Sequence, residues 1–205
     1  MYLLYSALFR GKGREKMDMP ALLCGVGAFA LFGLYDWCTV RRPDSAFLRW
    51  GFSAGCLLVL LSTLRTALLC LPLRPQSLGW WAAAFVFVFL LAQALFFSLP
   101  KGTYSDPAAQ RRVWDQKMYA LCRHPGLLWF AGLYFCLGGA LGPASWGCFL
   151  LLCLLNLGYV VLQDLWTFPR TFCDYGEYRR RVTFLLPTPG SLKNCLRQYA
   201  GRKEE

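Results

Sequence analysis

Three short stretches of this chain carry side chains that could do chemistry together. They are Tyr119 with Arg123-His124-Pro125, then Gln163-Asp164, then Tyr175 with Tyr178. His124 is the single histidine, set between a guanidinium and a proline where a charged segment meets an apolar run. Proline disfavours helical backbone in the residue before it and is tolerated in the first turn of a helix. His124 is therefore expected at the start of a helix. Free backbone N–H groups and the positive end of the helix dipole attract anionic groups there. The same residues also fit a plainer role, with Arg123 and His124 anchoring a helix end at lipid headgroups. Tyr175 and Tyr178, three residues apart, fit interfacial anchoring too, and Arg179, Arg180 and Arg181 suit anionic lipid.

The elements that must position these residues follow from composition. Of 205 residues, 57% are hydrophobic and only 16% are charged, and the mean hydropathy is +0.38. A soluble domain is less apolar and richer in charge. Aromatic side chains make up 17%, including 8 Trp, which suits a chain with many rings at a membrane interface. The formal net charge is +11. Its basic residues cluster between apolar blocks, the distribution of loops facing anionic lipid headgroups and not of a nucleic-acid surface. Of 10 cysteines, Cys24, Cys38, Cys56, Cys70, Cys136, Cys148 and Cys153 fall inside apolar segments, and no CxxC pair occurs. They are expected to pack as small apolar side chains, so neither a disulfide framework nor a metal site is expected.

A membrane-spanning helix needs about 20 apolar residues. Runs of that kind predict spans over residues 20–40, 46–71 and 78–99. Residues 126–162 are too long for one helix. Gly138, Gly139, Gly142 and Pro143 interrupt them, which predicts a tight hairpin of two spans. The expected fold is thus an all-α membrane bundle of five spans, divided into a three-span part (1–99), a core (100–187) and a basic tail (188–205). From Asp164 onward the chain reads as a polar, aromatic and basic tail. Residues 1–9 are apolar but short, fit an interfacial helix and lack the cleavage site of a signal peptide. Glu204 and Glu205 leave no prenylation box. Arg49 can snorkel, whereas Asp36 and Arg65 are intramembrane charges expected to face inward with partners, one option being each other.

Five spans put the termini on opposite faces. One face carries sixteen basic residues, namely Arg41, Arg42, Arg49, Lys101, Arg111, Arg112, Lys117, Arg123, Arg170, Arg179, Arg180, Arg181, Lys193, Arg197, Arg202 and Lys203. The other carries five, Arg10, Lys12, Arg14, Lys16 and Arg74. The excess places the carboxyl end in the cytosol of an integral membrane protein. That membrane would be the plasma membrane in a bacterium or the endoplasmic reticulum in a eukaryote.

The hairpin returns the chain to the Arg123-His124-Pro125 ledge and delivers Gln163 and Asp164 beside it. The tail then brings its aromatic rings to the mouth of the bundle. At this point the chain resembles the membrane methyltransferases that include isoprenylcysteine carboxyl methyltransferase and the phospholipid N-methyltransferases. Their signature is a tyrosine, three residues, Arg-His-Pro-x-Tyr, a helical hairpin, a Glu-Glu pair, then Tyr-x-x-Tyr-x-x-x-Val-Pro-Arg and a final proline. Tyr119, Arg123, His124 and Pro125 match the first part, Gln163 and Asp164 stand at the acidic pair, and Tyr175, Tyr178, Val182 and Pro187 match the last. The resemblance covers about residues 111–187. The chain departs from it at Leu127, Trp129, Gln163, Thr183 and Phe184, and Tyr159 stands where the isoprenylcysteine branch has a substrate-contacting arginine.

The resemblance implies methyl transfer from S-adenosylmethionine. Arg123, His124 and Asp164 would be the catalytic residues, and Arg123 would meet the cofactor carboxylate or an anionic acceptor. Tyr119, His124, Pro125, Gly126, Leu127, Gln163, Asp164, Tyr175 and Tyr178 would bind the cofactor, with Arg111 to Trp114 as an outer wall. The acceptor would be lipophilic and enter from the bilayer, and the substituted positions point away from prenylated protein. No nucleic acid or metal is implied. Two other readings compete: a steroid-reductase-like enzyme using NADPH, and a non-catalytic protein binding lipid or a partner.

Overall fold

The structure, a computed structural model, describes residues 18–41, 50–71, 77–98 and 111–201. The interfacial helix expected over residues 1–9 and the snorkelling Arg49 lie outside them. Among the described residues all regular structure is helical. Helix α1 spans Met19–Arg41 and α2 spans Gly51–Leu69. Helix α3 covers Leu78–Ala92 and runs on into a π-helical turn at Gln93–Phe97. The short α4 is Met118–Leu121, followed by α5 at Pro125–Leu141 and α6 at Pro143–Leu162. A second π-helical turn, Gln163–Thr167, carries α6 directly into α7, Phe168–Thr171. The tail folds as α8, Tyr175–Arg181, and α9, Pro189–Tyr199.

Four helices are long and apolar enough to cross a membrane: Met19–Arg41, Gly51–Leu69, Leu78–Phe97 and Pro143–Thr171. The apolar α5 has 17 residues, about 26 Å at 1.5 Å per residue. Large apolar side chains such as Leu57, Leu64 and Leu68 on α2 and Phe85 and Phe89 on α3 face outward. In water that belt would be a liability; in lipid it is the solvent-facing side. The chain is an integral membrane protein.

The hairpin forms, but its break differs from the expected one. Helix α5 continues through Gly138 and Gly139 and stops at Gly142, whose φ of 93° only glycine adopts readily. Pro143 then opens α6 at its first position. Gly138 and Gly139 serve close packing instead. A Cβ at Gly138 would come within 2.8 Å of the Trp146 ring, and one at Gly139 within 2.6 Å of the Trp80 ring. The tail also begins later than expected. The helix passes Asp164 and ends at Thr171, because the π-turn adds a residue to the ladder without breaking it.

Helix α1 packs on α2 and α6, α3 on α5, and α5 on α6. Phe29, Phe32, Phe130, Tyr134, Phe149 and Leu152 form the centre of the apolar core. Helices α1 and α2 run antiparallel, as the pairs Asp18–Arg65, Ser62–Ala21 and Gly55–Phe32 show. This rules out the option that Asp36 pairs with Arg65, and Arg65, whose side chain is 49% exposed, does not face inward. Arg65 reaches Asp18, with Nη2 3.1 Å from Oδ1, and Asp18 also caps α1 by accepting from the Ala21 N–H. Asp36 lies 18 residues further along α1, about 27 Å away along the helix.

Candidate functional site

The ledge forms where α4 ends and α5 begins. After Leu121 the backbone straightens at Cys122, and His124 takes the non-helical φ of −126° of an N-cap with Pro125 at the first helical position. The position expected for His124 is therefore the one it occupies. Burial raises the Cys122 thiol pKa to about 11, so this cysteine is no nucleophile at neutral pH. The tail clasps the ledge from the other side. The Arg123 N–H donates to the Thr183 carbonyl at 2.9 Å, and the Arg123 guanidinium lies 5.5 Å from the centre of the Phe184 ring.

The π-turn decides which way Gln163 and Asp164 point. Gln163 and Thr167, one turn apart, face a cavity, whereas Asp164 turns to the ledge and is buried. Asp164 Oδ1 lies 3.1 Å from His124 Nε2 and 3.0 Å from Arg123 Nη1, and accepts from the Tyr175 hydroxyl at 2.6 Å. Arg179 Nε stands 3.6 Å from Oδ2. A carboxylate only accepts hydrogen bonds, so neutral His124 must carry its proton on Nε2, leaving Nδ1 as an acceptor. The imidazole is stacked on Phe168, with centroids 5.8 Å apart and planes at 11°, and meets Phe184 edge-on at 5.0 Å. Burial pushes the His124 pKa below its ordinary value, against the opposing pull of Asp164. Tyr175 is pushed upward by burial and by its bond to Asp164.

Tyr175 and Tyr178 are both buried, so neither is an interfacial anchor. The Tyr178 hydroxyl donates to the Tyr119 carbonyl at 2.8 Å, and the Tyr119 hydroxyl donates to the Ala94 carbonyl in the first π-turn at 3.1 Å. One chain of bonds thus ties α8 through the ledge to α3. Arg111 to Trp114 do not wall the cavity. They are absent from its lining, and Val113 packs on Phe172, Tyr175 and Tyr178 while its N–H donates to Asp174.

The cavity measures about 400 Å³, within the roughly 300–1,000 Å³ of small-molecule sites. Tyr119, Arg123, His124, Pro125, Gly126, Leu127 and Gln163 line it, but Asp164, Tyr175 and Tyr178 do not. The structure brings all the expected site residues together in two layers. One layer faces the cavity, and the other holds the first in place from behind.

The cavity also takes in residues beyond the ledge. It continues into the bundle past Phe29, Phe32, Phe52 and Val59, with Tyr35, Asp36, Thr39, Asn156, Tyr159 and Thr167 as polar groups. Sequence reasoning pointed to Tyr159, at the position of a substrate-contacting arginine in the family the chain resembles, but not to the others. One signal was present, the carboxylate of Asp36 inside an apolar run. It is bound by Tyr159, which donates to Oδ1 at 3.2 Å, and by Thr167, which donates to Oδ2 at 3.2 Å. Gln163 in turn donates to the Tyr159 hydroxyl at 2.8 Å. Arg123 Nε, although buried, has no hydrogen-bond partner among the described residues.

No family model, curated protein or solved structure matches the chain.

Proposed function

We propose that this chain is a five-span membrane methyltransferase that uses S-adenosylmethionine at a cytosolic site and acts on a lipophilic acceptor. The observation that carries the reading is the clasp of Asp164 on Arg123, His124 and Tyr175 at the mouth of the cavity. It joins the two motifs on which the resemblance rests, and it leaves the cavity faces of Tyr119, Arg123, His124 and Gln163 turned to a ligand. When bound, the cofactor supplies a methyl group already activated on a sulfonium. The protein's share is then mainly placement. Arg123 lines the cavity with a guanidinium suited to the cofactor carboxylate, and Gln163 offers an amide to hydroxyl or amino groups. Asp164 positions Arg123 and His124 from behind.

Five crossings with a cytosolic carboxyl end require α5 to span. At about 26 Å it sits at the lower end of the spanning range, and the charge asymmetry sets the orientation. The acceptor side supports a small lipophilic molecule over prenylated protein. Tyr159 is engaged with Asp36, and Phe184 packs on Arg123 and His124. Neither position offers a cation to a prenylcysteine carboxylate. The NADPH reading is less well supported, since its additional phosphate calls for several cations. Among the described residues Arg123 is the one Lys or Arg lining the cavity.

Titration of the purified chain in nanodiscs with S-adenosylmethionine, and separately with NADPH, tests the reading. Binding of S-adenosylmethionine is expected, weakened about tenfold to a hundredfold by Arg123→Ala or His124→Ala through loss of a charge-assisted hydrogen bond. Binding of NADPH in its place would overturn it. Methyl transfer from labelled cofactor into a lipid extract, beside a farnesylcysteine analogue, tests the acceptor, and methylation of the analogue alone would reverse that part.

A further inference from the structure

We infer that Asp36 and the aromatic wall around it form a binding site for the ammonium group of a lipophilic amine. Asp36 lies in α1, outside the residues that carry the methyltransferase resemblance. It is 4% exposed and lines the same cavity. Its hydrogen bonds come from neutral side chains, the hydroxyls of Tyr159 and Thr167, one to each oxygen, and the amide of Gln163. A carboxylate oxygen can accept twice, so acceptor capacity remains. Among the described residues, no cation pairs with Asp36. The ion pairs join Asp18 to Arg65, Asp115 to Arg181, and Asp164 to Arg123 and Arg179. An intramembrane charge is costly and marks function by default. A cation brought by the ligand would compensate it.

The walls suit the same ligand. Phe32 lies 5.5 Å from the Tyr159 ring and 5.4 Å from Phe52, and Phe52 lies 5.7 Å from Tyr35. All four rings line the cavity around Asp36. Aromatic faces attract ammonium groups, and more strongly where water is excluded. Beyond them Val59, Leu91, Leu95 and Leu127 give the cavity an apolar flank that fits an alkyl chain. A carboxylate ligand would face Asp36 with like charge, and an alcohol would gain a hydrogen bond without charge compensation. The expected order is amine, then alcohol, then carboxylate.

The test is equilibrium binding of labelled dodecylamine to the full chain in zwitterionic nanodiscs, with empty nanodiscs as background and 1-dodecanol and dodecanoate as competitors. It uses no methyl donor, so it decides the amine site whether or not the chain transfers methyl groups. Dodecylamine is expected to bind saturably and about tenfold or more tighter than 1-dodecanol. The near-isosteric Asp36→Asn variant should lose that preference while still binding the alcohol. Phe32→Leu should weaken the amine several-fold more than the alcohol. Equal affinities for amine and alcohol on the unaltered protein would overturn the site, as would an unchanged preference in Asp36→Asn. The comparison on the unaltered protein holds even if a variant fails to fold.

Discussion

His124 Nε2 and Asp164 Oδ1 stand 3.1 Å apart although 40 residues separate them in the chain. Both are buried, and the same carboxylate holds Arg123 and Tyr175. Asp164 is therefore the hub on which the ledge, the end of α6 and the tail converge.

Removing that hub should be severe. Asp164→Ala leaves Arg123 buried without its counter-charge, and breaking a buried ion pair in this way costs about 3–5 kcal/mol. Asp164→Asn keeps the shape and one acceptor and should cost less. Thermal unfolding in detergent checks both. A melting temperature for Asp164→Ala equal to that of the parent would contradict the assignment.

The contribution of the ledge to pH dependence can be read from His124, the single histidine of the chain. The His124 pKa lies below its ordinary 6.5, chiefly through burial, so between the two values the unfolded chain binds the proton and the folded chain does not. Its contribution to stability is present above pH 6.5 and is lost as pH falls through the lower folded value. Across that window the melting temperature of the parent is expected to rise with pH relative to that of His124→Gln. An imidazole NMR titration giving a midpoint above 6.5 would refute it.

Glycine substitutions separate three roles. Gly142→Ala forces a side chain onto a φ of 93° and should cost on the order of 1–3 kcal/mol. Gly139→Ala should also destabilise, because its Cβ would lie 2.6 Å from the Trp80 ring. Gly158→Ala, with nothing within 4 Å of its Cβ, should be neutral or stabilising by up to about 1 kcal/mol. Melting temperatures of the three variants give the ranking. Gly158→Ala as the most damaging would show that these contacts are misplaced.

Topology is open to labelling. With the native cysteines replaced, a cysteine at Lys193 should react with a membrane-impermeant maleimide from the cytosolic side, and one at Leu71 from the opposite side. Both positions are exposed. Labelling of both from one side would sink the five-span arrangement.

Local rules made the elements legible. Apolar length predicted spans over residues 20–40 and 78–99, and the helices are Met19–Arg41 and Leu78–Phe97. Gly142 and Pro143 marked the hairpin, because φ above zero and a missing N–H are properties of single residues. The same holds for His124, whose place before a proline set it at the start of α5. Gly138 and Gly139 look like breakers in the sequence because the tryptophans they accommodate are distant in the chain or across the turn.

What the sequence determined by itself is thus the helical membrane bundle, the hairpin and the ledge, each set by properties of neighbouring residues. Tertiary structure alone decided who meets whom. A π-turn at Gln163–Thr167 sends Asp164 to the ledge and Gln163 into the cavity. The antiparallel pairing of α1 and α2 gives Arg65 to Asp18, while Asp36 is bound by Tyr159 and Thr167. A buried charge must find a partner, but local sequence carries no information on which distant partner the packing will bring within reach.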